Sequence, residues 1–249
     1  MTTEVPLIVA DWPAPSRVRA VSTLRMGGVS QGPWASLNLG THVQDAPRHV
    51  SVNRQRLGDR LGVAEPAIGW LSQVHGTEVA PLPAEGVPQA DASVTSHPGQ
   101  VCAILTADCL PVLFCNRQGT RVAAAHAGWR GLSEGVLERT LAALGAPPEE
   151  ILAWLGPAIG PAVFEVGPEV RVAFVARHPQ TESAFVRSAG GGDRYLADIY
   201  QLARTRLELA GVSQVYGGGL CTVTDSTRFF SYRRDGVTGR MASLIWIEQ

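Results

Sequence analysis

The chain has 249 residues and a net charge of −1, from 21 basic and 22 acidic side chains, and 45% of it is hydrophobic. With no basic surplus it does not read as a general nucleic-acid binder, and no stretch reaches the roughly 18 apolar residues that a membrane helix needs. Residues 1–9 include Glu4 and Pro6 and have neither a basic start nor a long apolar run, so no secretory leader is read and a cytoplasmic protein is expected.

The length lies at the upper end for one domain. Residues 81–88 and 190–193 are the most loop-like spots, and both are too short for a linker, so one domain over residues 1–249 is expected. In chain order, residues 17–23 alternate and predict a strand. Asp45-Ala46-Pro47 is a helix-start signal; it opens a helix carrying Val50, Leu57 and Leu61 that ends at Gly62. Residues 68–75 predict a strand ended by Gly76. The apolar runs 101–106, 111–115 and 121–126 predict buried strands. From Gly131 a helix is expected, with Leu132, Val136, Leu137, Leu141 and Leu144 at helical spacing. A strand at 151–155 and a helix over 166–178 follow. Asp198 caps a helix through Leu209, closed by Gly211, and strands at 212–216 and 241–247 complete the chain. Helices and strands mix without a strict βαβ rhythm. No strand leads into Gly-x-Gly-x-x-Gly, and Gly217-Gly218-Gly219 precedes no helix pattern, so it receives no phosphate-binding weight.

Three segments place a metal-capable residue beside a glycine or a turn, at the end of an apolar run: SQVHG with His75, TADCLP with Cys109 and AAAHAGWRG with His126. One thiolate and two imidazoles suit zinc, and three protein ligands leave a fourth position open, as catalytic sites do. The spacing alone is unspecific, because no compact Cys-x-x-Cys or His-x-x-x-His pair is present. A His after a strand also reads as a hydrogen-bonded loop residue, and a Cys in an apolar run as a small buried hydrophobe. A cysteine hydrolase with no metal, using Cys109 and a His base, would draw on the same residues.

SQVHGTEV, ADASVTS, LTADCLPVLF, AAAHAGWRGL, LGPAIGPAVFEVG and FFSYRRDGVTGRMASLIW, with the opening STLRMGGVSQGPWASLNLGTHVQD, resemble the signature blocks of the YfiH family, also labelled laccase domain or polyphenol oxidase. The resemblance runs in order over residues 22–246. It implies a mixed α/β fold, a sandwich of two mixed β-sheets covered by helices. It also implies a zinc ion on His75, Cys109 and His126, which then carry the catalysis. The implied activity is phosphorolysis of the purine nucleosides adenosine, inosine and S-methyl-5'-thioadenosine, together with adenosine deamination; the partners are then the nucleoside and phosphate, in a monomer or homodimer. Editing of a peptidoglycan precursor, linked to a bacterial member, is the alternative the resemblance carries.

Copper is the second metal to consider, but a multicopper oxidase needs a type-1 centre and a histidine-rich cluster. The chain has six histidines, and His49, His97 and His178 read as surface residues. For phosphate, Arg25 in TLRMGG joins a planar cationic fork to glycines where backbone can approach an anion; a structural ion pair is the other reading. Arg130, four residues after His126, is the second candidate, with a helix-end salt bridge as its alternative. His42 reads as a cleft residue, and Asp108 as either a turn former or an acid or base. Arg233 and Arg234 read as a solvated pair and Arg240 as structural. Cys102 and Cys115 read as core, Cys221 as core or loop, and Trp129 as core or a base-stacking ring.

Overall fold

Several apolar runs in the sequence have no polar face, which suits strands covered on both sides. The computed structural model describes residues 4–249; the first three residues of the segment read for a leader lie outside the described residues. In chain order the elements are β1 (Leu7–Val9), β2 (Val18–Thr23), α1 (Pro47–Leu61), β3 (Ile68–Gly69), β4 (Val79–Pro81), β5 (Ala92–Thr95), β6 (Val101–Thr106), β7 (Leu110–Asn116) and β8 (Val122–Ala127). There follow α2 (Trp129–Glu134), α3 (Val136–Leu144), β9 (Ile151–Leu155), β10 (Glu165–Val166), α4 (Pro168–Val175), β11 (Phe185–Arg187) and β12 (Tyr195–Ala197). The chain ends with α5 (Ile199–Leu209), β13 (Gln214–Gly217), α6 (Tyr232–Asp235) and β14 (Met241–Ile247).

Two mixed sheets dominate, in the orders β1-β2-β14-β6-β3 and β13-β9-β7-β8-β5-β4. Alternation along each buried strand sends neighbouring side chains into different cores. Cys102, Ile104 and Ile245 from the first sheet meet Leu113, Cys115, Ala124 and Trp154 from the second. The outer face of the six-stranded sheet, with Val112, Phe114, Ala123 and Ala125, packs on Leu132, Leu137 and Leu141 of the middle helices and on Leu202 and Leu207 of α5. The outer face of the five-stranded sheet is covered by Leu57 and Leu61 of α1 with Leu37 and Leu39. The layers therefore run helix, sheet, sheet, helix, as the resemblance implied. A small antiparallel sheet, β10-β12-β11, was not anticipated, because its strands have two or three residues and show no readable alternation.

Local readings change in four places. Asp45 does not cap α1: Ala46 holds that position without a side-chain bond, and the Asp45 carboxylate joins a buried network with Ser30 at 2.6 Å and Asn38 at 2.9 Å. The strand expected over 68–75 stops at Gly69, and Ser72 pairs only through an isolated bridge to Gln89. The helix from Gly131 begins at Trp129 and breaks at Gly135, whose φ of 106° separates α2 from α3. The helix over 166–178 contracts to Pro168–Val175, with Val166 drawn into β10. Asp198 does cap α5, accepting the N–H groups of Tyr200 and Gln201. Among the described residues no helix is long and apolar enough to cross a membrane.

Candidate metal centre between two cavities

β6 and β7 lie in different sheets, and Ala107, Asp108 and Cys109 make the turn that crosses from one to the other. Asp108 sits at φ 90°, a conformation uncommon for a residue with a side chain. Its buried carboxylate accepts from Thr222 Oγ1 at 2.5 Å, Ser231 Oγ at 3.0 Å and the Arg233 N–H at 2.7 Å, and its carbonyl accepts the Ile159 N–H. Asp108 therefore takes the turn role, tying the crossing to the segments around 159, 222 and 231.

His126 is the penultimate residue of β8, in register with Val122 and Ala124, which point between the sheets. His75 lies in a loop at φ 61°. Only one of the three metal-capable residues thus sits within a strand; Cys109 is in a turn and His75 in a loop. The residue that organises them is Asp91, fully buried just before β5. Its Oδ2 accepts the N–H groups of Val74 and Gly76 at 3.1 and 2.7 Å, and its Oδ1 accepts the His75 N–H at 2.9 Å and faces His126 Nδ1 at 2.8 Å. One carboxylate thus shapes the His75 loop and orients the His126 ring with Nε2 free to face Cys109, the outer-shell role common around metal sites. Burial would raise its pKa, but the bonds from His126, Gly76 and Val74, with the His126 charge, hold it below the usual range.

The donor atoms of His75, Cys109 and His126 all lie within 4.8 Å of one another. Cys109 Sγ and His75 Nε2 are 3.8 Å apart, and the two imidazole rings meet at 4.8 Å and 72°. Donors around a tetrahedral zinc stand about 3.5 Å apart, given bonds of 2.0–2.3 Å, so the set needs only a small closure to hold one. Burial pushes the Cys109 thiol up, but His126 and His75 outweigh it and bring it down to about 6. Burial likewise disfavours the His126 cation, yet the Cys109 thiolate and Asp91 raise it to about 9. The glycines of AAAHAGWRG make room for this packing. A Cβ on Gly128 would lie 2.9 Å from His75 Cδ2 and 3.1 Å from Cys109 Sγ, and one on Gly131 would lie 2.6 Å from the Gly76 carbonyl.

His75 and Cys109 line two cavities. One, of about 250 Å³, has aromatic and apolar walls from Trp129, Phe164, Tyr232, Ile159 and Ile199, with Arg130 and Arg233. The other, of about 360 Å³, adds His126, His42, Gln73, Thr106 and Arg240 to the trio's wall. The exposed Arg130 guanidinium lies 4.5 Å over the Trp129 ring. Arg25 is not brought to either cavity. Its Nε and Nη1 donate to the carbonyls of Ala35 and Ser226, with the guanidinium over the face of Phe230. The glycines beside it serve close backbone packing, since a Cβ on Gly28 would meet the Ser36 carbonyl at 2.1 Å. Arg234 is not a solvated partner of Arg233: it donates to the carbonyls of Thr222, Val223 and Phe229. Cys102 and Cys115 are buried in the core, and burial pushes both up to about 12. Cys221 accepts the Gly160 N–H at 3.3 Å.

A mixed α/β sandwich gathers two imidazoles and a thiol near its sheet crossing, beside two cavities, in a set that could hold a metal ion. Residues 19–248 match the family described as multi-copper polyphenol oxidoreductase laccase, and the chain belongs to this family, whose members include YfiH. It is 60% identical to a Pseudomonas aeruginosa protein named purine nucleoside phosphorylase, over 97% of this chain and 98% of that one. It is 57% identical to purine nucleoside phosphorylase YfiH of Escherichia coli, with the same coverage. Among solved structures, a Neisseria meningitidis protein superposes with a TM-score of 0.93 at 52% identity, covering 98% of this chain and 99% of that one. YlmD from Geobacillus stearothermophilus superposes with a TM-score of 0.85 at 33% identity, covering 95% and 94%. These names support a purine nucleoside phosphorylase-like enzyme.

Proposed function

We propose that this protein is a zinc-dependent purine nucleoside phosphorylase acting on adenosine, inosine and S-methyl-5'-thioadenosine, with adenosine deamination as a second activity, working as one domain over residues 1–249 in the cytoplasm. The observation that carries this reading is the pair of cavities that share His75 and Cys109 in their walls, since a phosphorylase must hold two substrates against one reacting centre. The names of the close relatives support the substrate class. The free state of all four cysteines suits a reducing compartment.

His75, Cys109 and His126 are the residues that would hold zinc; their two nitrogens and one sulfur fit its preferences. Laccase-type copper chemistry would need further histidine clusters, and one cluster of three potential ligands is found among the described residues. Held there, the zinc ion would supply Lewis-acid chemistry at the reacting centre. In phosphorolysis a phosphate oxygen bonds to the ribose C1′ as the bond from C1′ to the base nitrogen breaks, and the base leaves with that electron pair. In deamination water oxygen replaces the exocyclic amino group, which leaves as ammonia. The purine is assigned to the aromatic cavity lined by Trp129, Phe164 and Tyr232, with Arg130 at the wall as a donor to the nucleoside. Asp91 holds the His75 loop and the His126 ring through both reactions.

One observation favours a second reading. Cys109, His126 and Asp91 also form the sequence of nucleophile, base and orienting carboxylate used by cysteine hydrolases. His75 separates the two, because a metal needs it as a ligand and a thiol nucleophile does not. The test is metal analysis of the purified protein, with adenine and inosine measured from adenosine with and without phosphate. The zinc phosphorylase reading expects about one zinc per chain and adenine only when phosphate is present. Adenosine-cleaving activity that survives in a zinc-free His75→Ala variant would overturn it.

A further inference from the structure

Nucleoside and phosphate need separate seats, and the two cavities differ in charge. The aromatic cavity has Asp108 among its lining residues, with the carboxylate held by Thr222, Ser231 and the Arg233 N–H, and its two arginines, Arg130 and Arg233, are exposed to solvent. The other cavity has no carboxylate among its lining residues. It has Arg240, half-buried directly before β14, with the stem packed against Gly40, where an added Cβ would stand 2.8 Å from Arg240 Cγ. The guanidinium donates through Nη1 to the carbonyls of Thr238 and Gly239, leaves Nε and Nη2 with no protein acceptor, and forms no ion pair among the described residues. His42, from the opening block of the chain, shares this wall at its solvent-exposed rim and makes no protein hydrogen bond among the described residues. Burial, then the charges of Arg240, Arg54 and His126, hold the His42 imidazole below its ordinary pKa. Arg240 and His42 thus bring side-chain groups without a protein partner to the wall of one cavity.

We infer that this cavity is the oxyanion seat of the enzyme, with inorganic phosphate held between Arg240 and His42 on the side of the metal trio opposite the purine. Arg240 offers a planar pair of donors, the geometry suited to a phosphate, and its two backbone acceptors fix the fork before the anion arrives. His42 adds one ring donor. The assignment moves the phosphate site away from Arg25, which lines neither cavity, and leaves Arg130 to the nucleoside. It rests on the phosphorylase reading for the identity of the anion and on the cavity for its place.

The test is direct phosphate binding to the zinc-loaded protein by calorimetry, with sulfate as a second probe, alongside the KM for phosphate. Arg240→Met is expected to weaken phosphate binding and raise its KM at least tenfold while zinc content and nucleoside affinity hold; His42→Ala gives a smaller rise in the same direction and serves if the Arg240 variant misfolds. Arg130→Met is expected to weaken nucleoside affinity and leave phosphate affinity near the parent value. If Arg130→Met instead raises the phosphate KM while both cavity variants leave it unchanged, this inference falls and the phosphorylase reading stands. If the parent protein binds phosphate in an Arg240-dependent way yet releases no adenine, the anion seat stands and the phosphorylase reading falls.

Discussion

Replacing Asp91 by Asn removes one charge and no volume, and the hydrogen bonds say what it costs. Each carboxylate oxygen of Asp91 serves two groups, Oδ1 the His75 N–H and His126 Nδ1, and Oδ2 the N–H groups of Val74 and Gly76. An amide has one accepting oxygen, so in either orientation its NH2 faces two groups that need an acceptor. Two hydrogen bonds to a charged group are lost, at about 1.5–3 kcal/mol each. The His75 loop is partly open to water, which recovers part of that, leaving a loss of about 2–4 kcal/mol by the same scale. Zinc affinity should fall about 10–100-fold, the range for outer-shell carboxylates, because both His75 and His126 lose their positioning. Urea unfolding of the metal-free protein reads the first number, and competition with a zinc-binding dye reads the second. An Asn variant with parental zinc affinity would refute the claim that Asp91 positions the ligands, even if its stability dropped.

Four further outcomes follow from the same geometry. Gly128→Ala should lower zinc affinity more than tenfold without replacing a ligand, because its Cβ would press on His75 and Cys109; parental zinc affinity would mean that the loop yields freely. Cys109→Ala should lose both zinc and turnover yet keep the fold, since the three largest hydrophobic cores do not include the site residues; an unfolded variant by circular dichroism would mark the metal as structural. In the metal-free protein the thiolate of Cys109 is stabilised, so its share of stability is full above the ordinary thiol pKa and is lost as pH falls through about 6; iodoacetamide labelling followed on the Cys109 peptide should rise with a midpoint near that value, and a midpoint above 8 would contradict the imidazole pairing. Arg206 is buried, bonds Glu138 at 2.6 Å and donates to the carbonyls of Leu132 and Ser133 at the end of α2. Arg206→Met should cost about 2–4 kcal/mol, below the full range for a broken buried pair because Glu138 is partly exposed; a thermal midpoint equal to the parent would show that the pair adds nothing.

What the sequence by itself determined follows from local causes. The runs in β6 to β9 were readable as buried strands because residues facing two different cores leave no polar side. α5 was readable because Asp198 binds the N–H groups two and three residues ahead, and α1 ended where Gly62 could take a left-handed turn. The three metal-capable residues stood out by side-chain type and glycine neighbours, and the family blocks put them in order. Their convergence was a tertiary matter. Cys109 sits where the chain changes sheets, His126 depends on the pleat of β8, and His75 depends on a carboxylate sixteen residues further along the chain. Asp91 passed unnoticed because a single acidic residue before a short strand carries no pattern; its role lies in four bonds that only folding assembles. Arg25 stood out beside its glycines and Arg240 read as structural, and what distinguishes the two is assembled only by folding. Sequence shows that a guanidinium is present beside glycine, whereas only the packed structure shows which carbonyls have already taken its donors and which cavity the remaining ones face.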